Sequence, residues 1–172
     1  KRIARIILAS TMDGRPVTCE DLKAAGAMSV LLKEAIKPNL IQTIEHTPCF
    51  VHAGPFANIA HGNSSILADR IALSYSKYVV TEAGFGADCG AEKFFDIKCR
   101  VSGFIPNAAV MVCSIRALKA HSGRFKITAG MPLDTCLEKE DIEAIEQGCA
   151  NLEKQIGNVS IFGIPVVVAI NR

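Results

Sequence analysis

The chain has 172 residues, room for one domain with a real core, and its 49% hydrophobic and 21% charged residues are the balance of a globular protein. A net charge of +2 at pH 7, aromatics at only 6% and no Trp argue against nucleic acid or an acidic membrane as partner. No apolar run reaches transmembrane length and no signal peptide is visible, and the seven cysteines lack any Cys-x-x-Cys pair and sit mostly in apolar segments, so they read as small buried thiols in a reducing compartment.

In chain order, Ile3 to Ala9 is an apolar run that reads as a strand, and Asp13-Gly14-Arg15-Pro16 as a turn. Thr18 is placed to cap a helix, with Asp21 three residues on and Leu22, Ala25, Met28, Leu31, Leu32 and Ile36 at helical spacing up to Pro38. Cys49 to Ala53 reads as a second strand, running into "GPFANIAHGNSS". Asn63 or Ser64 is expected to cap a helix carrying Ile66, Leu67, Ile71 and Leu73. Tyr78 to Thr81 reads as a third strand before "EAGFGADCG", and Ala108 to Ser114 as a fourth before "IRALKAHSG". Asp141 to Ile156 is the clearest helix, with Ile142, Ile145, Cys149, Leu152 and Ile156 on one stripe and acids in its first turn. Pro165 to Ile170 reads as a last strand, apolar enough for burial on both faces. Together with an opening at Lys1 rather than Met, that late strand suggests a fragment.

Alternating strands and helices with continuous apolar strands predict an α/β fold: a mostly parallel sheet with helices on both faces. Ligands of such sheets bind outside the carboxyl ends of the strands. Three unusual loops follow expected strands here, and their coincidence at one sheet edge is the sequence's main argument for a site.

In "EAGFGADCG", Gly84 and Gly86 permit positive φ and close backbone approach. Glu82 and Asp88 repel bare phosphate; they suit a magnesium ion or the ring nitrogens of a heterocycle. Phe85, between the glycines, can stack on a flat ligand; the plain alternative is a tight turn with Phe85 in the core. His61 can donate to an anion or work as an acid or base, or simply bond to backbone. His52, at a strand end, is a weaker candidate. Asn58 can be a ligand donor or a cap; for Ser64 and Ser65 capping is favoured. Arg116 and Lys119 lie three apart and can share one helix face toward a phosphate, or form a solvated basic face. Lys93, Lys98 and Arg100 read as surface charge. Neither Gly-x-x-x-x-Gly-Lys-Ser/Thr nor Gly-x-Ser-x-Gly nor His-Glu-x-x-His occurs. The glycine spacing is also one residue too long for a dinucleotide-binding dehydrogenase.

Taken together, "IKPNLIQTIEHTPCFVHAGPFANIAHGNSSILADRIAL", "VVTEAGFGADCGAEKFFDIKCRVSGFIPNAAVMV", "VCSIRALKAHSG" and "NLEKQIGNVSIFGIPVVVAIN" resemble the formate–tetrahydrofolate ligase (10-formyltetrahydrofolate synthetase) family almost end to end. Against the family pattern, Cys113 and Ser114 are small-for-small changes, and Ser122 replaces a glycine where a positive-φ turn would be strained. The resemblance implies a P-loop NTPase-like fold, of which residues 1–172 would be the central part of one catalytic domain, without the P-loop segment or the C-terminal segments. It implies that formate is phosphorylated by ATP to formyl phosphate, whose formyl carbon is then attacked by a tetrahydrofolate nitrogen. Magnesium would accompany ATP, and potassium or ammonium would activate. Tetrahydrofolate, formate and ATP would be the small-molecule partners, in a homo-oligomer that is cytoplasmic, or else mitochondrial or plastidic. On that reading Arg116 and His61 serve catalysis at the anionic end, while Glu82, Gly84, Phe85, Gly86, Asp88 and Asn58 bind substrate, with Phe85 against the pterin. The fragment alone would be inactive. The alternative is a non-catalytic α/β ligand-binding or assembly module.

Overall fold

The computed structural model describes residues 1–54, 60–84 and 86–171; Asn58 and Phe85 lie outside the described residues. The chain divides into two units, residues 1–55 with 64–80, and residues 56–63 with 81–172.

In the first unit a single 3-10 turn, Ile3–Arg5, precedes strand β1, Ile7–Ser10, which pairs antiparallel with β2, Pro16–Thr18. The turn between them closes as its sequence predicts: Gly14 takes φ +82° and the Arg15 amide donates to Thr11 Oγ1 at 3.0 Å. Thr18 and Asp21 bond reciprocally, the Asp21 carboxylate accepting from the Thr18 amide at 2.7 Å and hydroxyl at 2.8 Å. That box starts a turn and not the expected helix, because Lys23 is left-handed at φ +55°. Helix α1 is Ala25–Ala35; of its expected stripe Ala25 and Met28 are half-buried, the Met28 sulfur 3.1 Å from the thiol of fully buried Cys19, while Leu31, Leu32 and Ile36 are exposed. Strand β3, Asn39–Gln42, pairs antiparallel with β4, Pro48–Val51. Helix α2, Ile66–Tyr75, is capped by Ser65, one or two residues later than expected; its Oγ accepts from the Leu67 and Ala68 amides.

The second unit opens its described core with a continuous helical run of mixed pitch. A π-helical segment Gly86–Gly90 leads into α3, Ala91–Lys93, then a second π-helical segment Phe94–Cys99 and α4, Arg100–Ser102, which ends at Gly103 with φ +75°. Phe95 stacks on Phe162, ring centroids 4.2 Å apart, and meets Phe94 edge-on. Strand β5, Ala109–Ser114, pairs in parallel with β6, Val166–Asn171. Between them lie α5, Ile115–His121, a 3-10 turn Thr135–Glu138, and α6, Ile142–Ser160. Helix α6 starts one residue later than expected, with Asp141 as its cap and not its first residue, and runs four residues past Ile156. Its buried stripe is Ala144, Gly148 and Val159, while Ile142 faces outward. The stripe is small where α5 crosses: a Cβ on Gly148 would fall 3.0 Å from Leu118 Cα, with the Leu118 carbonyl closer still.

The fold is thus α/β, with corrections. Two of the three strand pairings among the described residues are antiparallel hairpins, and only β5–β6 is parallel. Residues 78–81 form no strand; Tyr78 and Val80 are 80% and 97% exposed. One face of the β5–β6 pair is covered, but Val110, Val112 and Val167 on the other are exposed, so neither strand is buried on both faces here. Among the described residues no helix is long and apolar enough to cross a membrane.

Candidate functional site

The second unit brings two of the three expected loops together. Asn63 closes the first loop, and its Nδ2 donates to the Thr81 hydroxyl, 3.2 Å away, at the head of the second. His61 therefore sits two residues before the tie and Glu82 one residue after it, both side chains exposed. Between them in sequence, Gly62 is buried at φ +122° and rests on the helical run: a Cβ there would lie 2.9 Å from the Phe94 amide nitrogen and 3.1 Å from Lys98 Cβ. Only glycine fits that conformation and that contact together.

The second loop has the backbone expected of it. Gly84 and Gly86 take φ +68° and +81°, which carries the chain back over the start of the helical run. Gly90, inside the run, is where the loop lands. A Cβ there would meet Gly84 C at 2.7 Å and Gly84 O at 2.8 Å, with the Ala83 carbonyl nearer still. Asp88 is exposed in the first π turn, one carboxylate oxygen lying 3.0 Å from the place a Gly86 Cβ would take. Loop, glycines and acids thus form one surface, built on a π-helical start of a kind often found at functional sites.

Lys98 corrects the reading of it as surface charge. It is 6% exposed, and its ammonium lies 4.2 Å from the Phe94 ring centroid and 5.8 Å from that of Phe104. The quadrupole of an aromatic face attracts a cation, which helps a lysine remain buried. Phe94 is the neighbour four residues back that any helix would bring to Lys98, whereas Phe104 reaches it only because the chain turns back at Gly103.

Arg116 and Lys119 do share a face of α5, and both grip the same segment. The Lys119 ammonium, buried, donates to the Lys139 carbonyl at 2.8 Å, and Arg116, exposed, pairs with Glu138 at 3.6 Å. Ser122 is unstrained: it takes φ −66° and its hydroxyl donates to the Lys119 carbonyl at 2.6 Å, while Gly123 supplies the positive φ at +78°. His52 is better held than its sequence position suggests: Nδ1 lies 2.7 Å from Ser65 Oγ and Nε2 2.9 Å from the Ala35 carbonyl. A surface cleft in the first unit is lined by His52, Lys37, Asn39 and Gly54.

Comparison with known proteins bears on what this surface serves. The family model described as formate–tetrahydrofolate ligase matches residues 1–172. The chain is 63% identical over 172 residues to a formate–tetrahydrofolate ligase of Roseiflexus sp. (strain RS-1), covering all of this chain and 30% of that protein. It is 59% identical to two mouse proteins, a monofunctional C1-tetrahydrofolate synthase, mitochondrial, and a C-1-tetrahydrofolate synthase, cytoplasmic; 99% of this chain is covered, and 18% and 19% of theirs. The chain thus spans about a third or less of the length of these relatives.

Proposed function

The chain belongs to the formate–tetrahydrofolate ligase family, and from that premise we propose that the whole protein joins formate to tetrahydrofolate at the expense of ATP. A formate oxygen attacks the γ-phosphorus of ATP and ADP leaves; a tetrahydrofolate nitrogen then attacks the formyl carbon and phosphate leaves, giving 10-formyltetrahydrofolate. The observation that carries the reading is the family match over every residue of the chain.

Within it, the surface joined by Asn63 and Thr81 is the part of the site this chain contributes. Gly84 and Gly86 let backbone border the formyl phosphate, and Glu82 and Asp88 make polar contacts at its side. Phe85 lies against the pterin, and Asn58 adds a donor. His61 and Arg116 serve the anionic end; for Arg116 this means exchanging Glu138 for phosphate. Magnesium enters on the nucleotide. It keeps several waters and takes few protein carboxylates, which exposed Glu82 or Asp88 can supply. Potassium or ammonium is proposed as activator. In-line phosphoryl transfer demands mostly positioning and charge neutralisation, and burying the mixed anhydride keeps it from water.

The wider fold we propose is a mostly parallel, P-loop NTPase-like sheet of which residues 1–172 form the central part. The exposed valines on one face of β5–β6 support it, since such a face calls for cover. We also propose a homo-oligomer working in the cytoplasm. The test is the full-length protein with ATP, formate and tetrahydrofolate. The expected result is 10-formyltetrahydrofolate and ADP in equal amounts, each needing all three substrates. ADP without formyl transfer would overturn the ligase reading in favour of ATP hydrolysis alone, and neither product would overturn it in favour of a non-catalytic module.

A further inference from the structure

We propose that Gly90 is a positioning residue for formyl transfer, acting through the Ala83–Gly84 peptide. It holds that peptide so that the Gly84 N–H donates to the formyl oxygen while tetrahydrofolate attacks. The proposal rests on the functional reading above.

The backbone at position 90 gives no reason for a glycine. Its φ of −66° and ψ of −43° are those of an ordinary helix, where alanine is the better residue. Nor does Gly90 end the helical run, which continues to Ser102. What it supplies is room. Gly90 is buried, and a Cβ there would meet the Ala83 oxygen first, then Gly84 C at 2.7 Å and Gly84 O at 2.8 Å. The missing side chain is what lets the loop lie on the run.

The contact has a direction. The oxygen of Ala83, and not its carbon, comes nearest to Gly90. No cis peptide occurs among the described residues, and in a planar trans peptide the N–H points opposite to the C=O. The Gly84 N–H therefore faces away from the run. The run closes one side of this peptide and leaves the other to a substrate. Among the described residues no hydrogen bond uses that N–H.

Formyl transfer calls for such a donor. As the tetrahydrofolate nitrogen bonds to the formyl carbon, the carbonyl electron pair moves onto the formyl oxygen. The pair returns as the bond from carbon to the phosphate oxygen breaks, and the nitrogen's proton leaves with the phosphate. A backbone N–H held in place where charge develops stabilises that oxygen without having to reorganise. Glu82 and Asp88 are exposed on the same loop and would repel a bare phosphate. A formyl oxygen is uncharged until it is attacked, so it is the part of the intermediate that this amide suits.

In the full-length enzyme, Gly90→Ala should push the Ala83 carbonyl off the run and turn the amide. Removing one oxyanion donor costs about a hundredfold to a thousandfold in rate. A displaced donor is expected to slow formyl transfer in a single turnover by about tenfold to a hundredfold on that scale. Formation of formyl phosphate from ATP and formate, measured without folate, should be nearly unchanged, as should the tetrahydrofolate Kd. A glycine needed only for packing would slow both steps together, and equal losses, or no loss in transfer, would overturn the proposal. Amide NMR of the glycine-labelled parent enzyme, with a nonhydrolysable ATP analogue bound, reads the hydrogen bond itself. Added formate, one of whose oxygens becomes the formyl oxygen, should move the Gly84 N–H downfield and slow its exchange with water. The resonance is identified by its loss in Gly84→Ala. A Gly84 signal that ignores formate would overturn the donor role, and this measurement decides the matter if Gly90→Ala does not fold. Product formed by an enzyme whose Gly84 stays silent removes the proposal and leaves the functional reading standing. A parent enzyme that makes no 10-formyltetrahydrofolate overturns both.

Discussion

The Asn63 side-chain amide and the Thr81 hydroxyl, eighteen residues apart in sequence and 3.2 Å apart in space, are the bond through which two separate loops become one surface. Thr81→Val keeps the shape and removes the acceptor. Both groups have access to water, so the net worth of the bond is about 1 kcal/mol, and the melting temperature should move by only a few degrees, roughly as such a change does in a domain of this size. The catalytic cost should be larger, because His61 and Glu82 flank the tie. A loss of roughly tenfold in kcat/KM for formate, about 1.4 kcal/mol, is expected in the full-length enzyme. An unchanged kcat/KM would mean that the loops hold their places without it.

Arg116 is tied to Glu138 by an exposed ion pair 3.6 Å long, a type of contact that contributes little to stability. That leaves its guanidinium available to a phosphate. Arg116→Ala should lower formyl phosphate yield in a single turnover more than it weakens folate binding, with little change in melting temperature. Glu138→Gln should leave the yield within about twofold, well under the 1.4 kcal/mol that marks a tenfold change. Parallel losses in both variants would show that the ion pair, and not contact with phosphate, is what matters.

Acid should loosen two turns in a defined direction. The Thr18 amide and hydroxyl hold the Asp21 carboxyl below its ordinary value, and the Cys136 amide does the same for Asp134. A carboxyl depressed in the folded state stabilises above its unfolded pKa and loses that contribution as pH falls through the lower, folded one. Asp21→Asn should therefore reduce the melting temperature at pH 6 and make progressively less difference as pH drops below the usual carboxylate range. A constant difference across the titration would show that the carboxylate charge is irrelevant there.

What was legible in the sequence was what local chemistry decides. Gly84 and Gly86 announce positive φ because no other residue takes it so readily, and the acids at its start announce α6 because the helix dipole favours them there. Strands were less legible. Tyr78 to Thr81 and Ala109 to Ser114 are both apolar runs, yet only the second finds a partner strand, and pairing is not a local property. Of the site, the loops could be named from their glycines. The Phe104 ring over Lys98, Gly62 on Phe94 and the bond of Ser65 to His52 could not, since each depends on residues brought close by folding.

The two glycines of α6 yield the sharpest test of the packing. Gly148 and Gly157 lie in the same helix, nine residues apart, and both are a cost to it: glycine is roughly 1 kcal/mol less favourable than alanine in a helix interior. Their surroundings are opposite. A Cβ at Gly148 would collide with the backbone of Leu118, whose carbonyl carbon would lie only 2.6 Å away, and α5 would have to move off α6 to admit it. A Cβ at Gly157 would meet nothing within 4 Å. Gly157→Ala is expected to stabilise by about 0.4–1 kcal/mol, the gain from a less flexible unfolded chain. Gly148→Ala is expected to destabilise by about 1–3 kcal/mol, since overpacking outweighs the helix propensity gained. Denaturant midpoints for both variants, with equal slopes, measure the two signs directly. A stabilising Gly148→Ala would mean that α5 does not cross α6 at Leu118, and that the packing described for the second unit is wrong.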